Sequence, residues 1–208
     1  MIERQLYKSL WQEDIQQKPM VFISGPRQSG KTTFARDIAG ASYKNKVYFN
    51  WDILENKKTL IENPTFFEHV QRADESPPLI IFDEIHKYKN WKNYLKGIYD
   101  QFAGEYQFIV SGSGRLDVSQ RGGESLAGRY LSMHLFPLTA AELAARRKSI
   151  QDFLVEPLLG FDINPVRETQ AVWESLFELS GFPEPYDKGE KSFWIKWSQT
   201  YGRQIIRE

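Results

Sequence analysis

Apolar positions recur along this chain in two rhythms. Residues 2–15 place Ile2, Leu6, Leu10, Trp11 and Ile15 at helical spacing, and residues 91–102 do the same with Trp91, Leu95, Ile98 and Phe102. Between such segments lie short runs of strand character at residues 21–24, 47–52, 79–84, 107–111 and 130–136, and those at 21–24, 79–84 and 107–111 carry apolar residues without alternation. An unbroken apolar strand suits a parallel sheet covered on both faces, where neither face meets water. A helix is expected over 32–39, ended by Gly40, and another over 65–73 with Phe66, Phe67 and Val70 on one side. Pro19 and the Ser76-Pro77-Pro78 break punctuate the approaches to two of the strands, and residues 115–128, with Gly122-Gly123, read as loop. Thr139-Ala140-Ala141-Glu142 is a capping box opening a helix to about residue 148. Strands alternating with helices predict an α/β fold with a mainly parallel five-stranded sheet and right-handed crossovers.

Beyond residue 148 the pattern changes. Pro157, Pro165, Pro183 and Pro185 interrupt short apolar segments, and Trp173, Phe177, Phe193, Trp194 and Trp197 supply large rings. Residues 170–179 and 191–206 each have helical spacing. The expected organisation is one domain over 1–148 and a small, mostly helical appendage over 149–208, which is short for an independent core.

Composition narrows the class. Of 208 residues, 41% are hydrophobic and 14% aromatic, enough for a packed core. Lys+Arg and Asp+Glu each number 27, so bulk charge gives no argument for a nucleic-acid partner. The chain has no cysteine, which removes disulfides and thiolate metal sites, and its three histidines lack metal-ligand spacing. The first residues lack the layout of a signal peptide and no apolar run reaches membrane-spanning length, so the expectation is a cytoplasmic protein with no membrane partner.

The chemistry enters directly after the first apolar run. Residues 25–33 read Gly25-Pro26-Arg27-Gln28-Ser29-Gly30-Lys31-Thr32-Thr33, a Gly-x-x-x-x-Gly-Lys-Thr phosphate-binding loop in strand-loop-helix context. The glycines let backbone N–H groups turn toward phosphate oxygens, and the helix that follows adds its positive end. Lys31 is placed to reach the β- and γ-phosphates of ATP, and the Thr32 hydroxyl to ligate Mg²⁺. At the end of the 79–84 run, Asp83 can hold Mg²⁺ beside Thr32, while Glu84 can orient and deprotonate the water that attacks the γ-phosphate. A base beside the metal carboxylate suits hydrolysis. After the next core strand, Ser111 and Ser113 stand where they could sense the γ-phosphate, although Ser-Gly-Ser-Gly is also an ordinary turn. Arg115 and Arg129 are candidates for a guanidinium that stabilises the transferring phosphoryl group, and each also reads as a surface arginine. His86, Lys87, Lys89, Lys92 and Lys96, interleaved with Tyr88 and Trp91, form a basic face over 87–96 that could meet a nucleic-acid backbone or a protein; its simpler reading is the solvated side of an amphipathic helix.

Taken together, the loop with its Pro26-Arg27-Gln28 filling, Tyr48-Phe49-Asn50-Trp51-Asp52, Ile81-Phe82-Asp83-Glu84-Ile85-His86-Lys87, Ser111-Gly112-Ser113, Leu126-Ala127-Gly128-Arg129-Tyr130 and Phe136-Pro137-Leu138-Thr139 resemble the bacterial and archaeal AAA-type ATP-binding proteins, over residues 1–145. The resemblance implies a three-layer P-loop NTPase fold, adenine as the base, a catalytic Glu84 and added weight for Arg129. It also implies a chain that continues into a nuclease-like C-terminal domain after the Ser180-Gly181-Phe182-Pro183-Glu184 turn, so this sequence is expected to be a truncated form or a fragment. The expected activity is MgATP hydrolysis driving a conformational or assembly switch, with self-association in view. A nucleotide-bound scaffold without turnover and a DNA-associated regulator are the alternatives.

Overall fold

The computed structural model describes residue 2 and residues 4–112, 126–143 and 167–206. The chain divides into two compact units, Tyr7–Leu135 and Met1–Leu6 with Phe136–Glu208.

The unit Tyr7–Leu135 is built on five strands: β1 (Met20–Ser24), β2 (Lys46–Asn50), β3 (Leu79–Asp83), β4 (Gln107–Ser111) and β5 (Leu131–His134). They form one sheet in the order β2-β3-β4-β1-β5, every pair parallel. The unalternating apolar runs have the expected cause. Along the central strands, Met20, Phe22, Ile80, Phe82, Phe108 and Val110 face one core cluster, while Val21, Ile23, Leu79, Ile81 and Ile109 face the other. The first cluster is closed by Leu60 of helix α3 (Leu54–Glu62) and by Trp91, Leu95, Ile98 and Phe102 of helix α4 (Trp91–Phe102). The second is closed by Tyr7, Trp11 and Ile15 and by Phe34, Ala35 and Ala39. Those residues come from helix α1 (Gln5–Leu10), prolonged by a wide π-turn over Trp11–Ile15, and from helix α2 (Lys31–Thr33), prolonged through Phe34–Ile38 and Ala39–Ser42.

Two expectations need correction. The helix after the loop runs through Ser42, and Gly40 lies inside its last turn. A Cβ on Gly40 would stand 2.8 Å from Cδ of Lys46, whose Nζ reaches the Arg36 and Gly40 carbonyls, so this glycine makes room for a lysine rather than ending the helix. Residues 65–73 hold only the short 3₁₀ turn Phe66–His69, because Asn45 takes the Ala73 N–H on its side-chain oxygen and binds the 74–76 backbone with its amide nitrogen. The regular helix of this stretch is α3, which shows one buried residue, Leu60, and so little apolar period. The expected 115–128 loop falls outside the described residues except for 126–128.

In the other unit, helix α5 (Ala140–Leu143) opens under Thr139, whose Oγ1 accepts the Glu142 N–H at 3.3 Å. Glu142 itself binds Arg4 in a buried, two-point ion pair, and Arg4 also donates to the Phe136 carbonyl. Helices α6 (Arg167–Leu179), α7 (Pro183–Lys188) and α8 (Lys191–Ile206) follow. The rings of Phe182, Trp197 and Tyr201 pack at 4.6–5.0 Å, and Trp197 Nε1 donates to Glu184. Gly181 is required by a close backbone approach: a Cβ there would lie 2.4 Å from the Leu138 carbonyl oxygen. No helix among the described residues is long and apolar enough to cross a membrane.

Candidate functional site

The register of the sheet gathers the predicted residues at one end. Asn50 is level with Asp83, Asp83 with Ser111, and Ile23 with Ser111, so the loop leaves β1 beside the ends of β3 and β4. Ligands of open α/β sheets sit at such carboxyl ends. The loop itself is shaped by three positive-φ residues: Gly25 at 147°, Gln28 at 60° and Gly30 at 91°. Gly30 then starts α2 with no side-chain cap, which leaves its first-turn N–H groups to other acceptors. Gly25 passes so near β5 that a Cβ would stand 2.3 Å from the Leu135 carbonyl oxygen.

Lys31 is buried and donates from Nζ to the carbonyls of Gly25 and Pro26, at 3.1 and 2.6 Å. Burial lowers its pKa; the Glu84 and Asp83 carboxylates oppose that effect and the Arg27 guanidinium reinforces it. A desolvated ammonium between loop carbonyls is suited to an anion such as phosphate.

Asp83 is the hub. Its Oδ2 accepts from Thr32 Oγ1 at 2.7 Å and from Tyr48 OH at 2.8 Å, and its Oδ1 accepts from Ser111 Oγ at 2.6 Å. Burial and then the Asp83 carboxylate push the Tyr48 phenol up to about 12. Thr32 and Asp83 bring a hydroxyl and a carboxylate together, hard oxygen donors that fit Mg²⁺. No cluster of three or more His, Asp or Glu able to hold a metal occurs among the described residues, so an ion here would complete its shell with phosphate oxygens and water. Glu84 is a non-glycine residue in the left-handed region, at φ 57°, with its N–H donated to the Ser111 carbonyl at 2.8 Å. Its carboxylate meets Lys87 Nζ at 3.1 Å.

The sequence profile of the AAA domain matches residues 17–144, more than half of the chain. The chain belongs to the AAA domain family. None of the curated proteins matches it. Among solved structures it is similar to a Walker-type ATPase of Pyrococcus abyssi, with a TM-score of 0.55 and 14% identity, covering 100% of this chain and 74% of that one. It is also similar to RuvB of Thermotoga maritima (TM-score 0.45, 20% identity, 81% of this chain and 51% of that one). A third likeness is to a signal transduction ATPase with numerous domains and a tetratricopeptide repeat sensor from Pyrococcus horikoshii (TM-score 0.49, 14% identity, 88% and 28%). The first likeness shows the P-loop NTPase fold; the other two carry nothing further.

In this AAA domain the predicted residues divide into groups. Lys31, Thr32, Asp83, Glu84 and Ser111 come together. Ser113 and Arg115 lie outside the described residues. Arg129 follows Gly128, whose φ is 76°, and pairs through Nε with Asp100 of α4 at 2.7 Å. The basic segment does not present its cations alike: the His86 side chain is buried, Lys87 is held by carboxylates, and Lys92 lies over the Trp91 ring. Sequence reasoning missed the contribution of β2. Tyr48 and Asn50 share one side of that strand by its two-residue period, which a sheet-edge reading of the pattern could have placed beside Asp83. A cleft of about 380 Å³ opens instead at the amino end of the sheet, lined by Pro19, Tyr43, Pro77, Tyr106 and Gln107, and it holds none of the predicted site residues.

Proposed function

We propose that this AAA domain binds MgATP and hydrolyses its γ-phosphate, using the reaction to drive a conformational or assembly switch. The observation that carries this reading is the convergence of the Thr32, Tyr48 and Ser111 hydroxyls on Asp83, beside the loop that holds Lys31. Residues 25–33 wrap the phosphates with backbone N–H groups, and Lys31 exchanges its loop carbonyls for β- and γ-phosphate oxygens. Thr32 and Asp83 are the residues that would hold Mg²⁺, which when bound offsets charge on those oxygens. Glu84 takes a proton from the attacking water, and Ser111, fixed on Asp83, stands one strand from the loop to sense the γ-phosphate. Arg129 would add a guanidinium to the transferring phosphoryl group once its Asp100 pair opens.

Phosphate release under magnesium tests the reading. Glu84→Gln is expected to lower turnover by about 10²–10⁴-fold, the usual contribution of a general base, while leaving ATP binding measurable. Undiminished turnover in that variant refutes the hydrolase assignment. Size-exclusion chromatography with and without a non-hydrolysable ATP analogue tests the switch: identical elution in both conditions, together with identical protease-cleavage patterns, refutes it.

A further inference from the structure

The end of β2 reaches both acidic residues of the site, and it does so through two separate arms. On one arm, Tyr48 donates to Asp83, and Asn50 Nδ2 donates to the Tyr48 oxygen at 3.1 Å. Asn50 Oδ1 accepts the Asp52 N–H at 2.8 Å, a local turn that fixes where the chain leaves the strand. On the other arm, Asp52 Oδ2 holds Lys87 Nζ at 2.6 Å, and that same nitrogen stands 3.1 Å from Glu84 Oε2. Lys87 therefore bridges two carboxylates from two different loops. His86 Nε2 lies 3.7 Å from the same Glu84 oxygen. The Glu84 backbone is pinned in the left-handed region by its bond to Ser111, so the remaining freedom of this residue is in its side chain, and Lys87 engages one of its two oxygens.

Resting on the hydrolase reading above, we propose that Lys87, anchored by Asp52, is a positioning residue for water attack. It fixes Glu84 Oε2 and leaves Oε1 to face the nucleophile. In the step it serves, the water proton passes to Oε1 as the water oxygen bonds to the γ-phosphorus. The bond from that phosphorus to the bridging oxygen breaks, leaving ADP and inorganic phosphate. Lys87 touches none of the reacting atoms; it acts through Glu84. The anchor matters because a lysine has a long flexible stem, and a single ion pair at a half-exposed site orders it poorly. Two carboxylates on one ammonium restrict it far more.

The test compares steady-state ATP hydrolysis and ATP affinity in Lys87→Met, Lys87→Arg and Asp52→Asn. Partners that orient a reacting group typically account for 10–100-fold in activity. Lys87→Met is therefore expected to lower kcat about tenfold or more with KM for ATP changed less than about twofold. Asp52→Asn is expected to give a smaller loss, and Lys87→Arg to retain most of the activity by keeping the charge. In a Glu84→Gln background, Lys87→Met should cause no further loss. A fall in ATP affinity that matches the fall in turnover would show a merely structural role and overturn the proposal. So would turnover that is unchanged, or raised, in Lys87→Met when Glu84→Gln silences the same enzyme. If the unaltered protein shows no magnesium-dependent turnover, or Glu84→Gln keeps full turnover, the hydrolase reading itself fails and this one falls with it.

Discussion

Gly25→Ala isolates what the loop demands of the backbone. Gly25 has φ 147°, a conformation that side chains rarely adopt, and an added Cβ would stand 2.3 Å from the Leu135 carbonyl oxygen. That oxygen belongs to backbone pinned beside β1, since Leu135 N donates to the Ser24 carbonyl at 2.8 Å. A flexible side chain could step aside; this carbonyl cannot without pulling the end of β5 from β1. The strained backbone costs about 1–3 kcal/mol, and loss of the Leu135–Ser24 bond about 1 kcal/mol more. For a chain of this size the sum of about 2–4 kcal/mol lowers Tm by about 5–15 °C. Thermal unfolding followed by circular dichroism reads the stability, and a fluorescent ATP analogue reads the site, whose affinity should fall as well. Gly97→Ala is the matched comparison: Gly97 lies inside α4 with nothing within 4 Å of an added Cβ, so the substitution should raise stability by about 0.5–1 kcal/mol. A Gly25→Ala protein with Tm within about 2 °C of the unaltered one and undiminished nucleotide affinity refutes the reasoning.

Other consequences follow from the same geometry. Ser111→Ala removes a buried donor from Asp83 Oδ1 and should cost about 1–3 kcal/mol in urea unfolding, because the carboxylate oxygen is left short of a partner; a cost below about 0.5 kcal/mol would show that the hydroxyl does not hold Asp83. Tyr48, pushed up to about 12 from 10.0, favours the neutral phenol in the folded state. Its contribution is complete below pH 10 and lost as pH rises through about 12, so Tyr48→Phe should flatten the fall of stability across that window; equal slopes in both proteins would refute the coupling. In the other unit, Glu142→Leu removes the two-point carboxylate partner of buried Arg4 and should cost about 3–5 kcal/mol, while Arg4→Met with Glu142→Leu should recover much of it. A double variant no better than the single one would argue against the broken Arg4–Glu142 pair as the cause. Arg129→Ala should reduce phosphate release at least about tenfold if its guanidinium serves the phosphoryl group, and full release would leave it as the surface partner of Asp100.

The sheet was legible because burial on two faces writes itself into sequence as an unbroken apolar run, and β1, β3 and β4 are buried along almost their whole length. Helix α4 was equally legible, since its four buried residues recur at helical spacing against a polar outer side. Helix α3 was not, for the converse reason. It buries Leu60 and leaves Leu54 and Ile61 exposed, so its helicity rests on good helix formers and tertiary context rather than on period. Phe66 and Phe67 misled the reading in the opposite direction: both rings pack beside the strands, but from a short turn whose exit is fixed by Asn45, a side chain far away in sequence. Gly40 shows that a glycine near a helix end has two physical causes, a left-handed cap or a close neighbour, and that composition alone does not choose between them.

The site divides along the same line between local and non-local causes. The loop and Asp83-Glu84 were legible because each is a contiguous string whose backbone, charge and spacing state a chemistry. Tyr48, Asp52 and Lys87 were not, because their meaning depends on register. Only when β2 lies parallel beside β3, with Asn50 level with Asp83, does the Tyr48 face of β2 meet the Asp83 carboxylate. A shift of one residue would turn Tyr48 and Asn50 to the opposite face and bring Phe49 toward Asp83. Phe49 holds the register against that shift, since its ring packs at 5.8 Å from Phe82 in the core cluster on the other face of the sheet. The core pairing on one face of β2 thus sets the polar pairing on the other, and a substitution at Phe49 that loosens the strand should disturb Asp83 before it touches any residue of the phosphate loop.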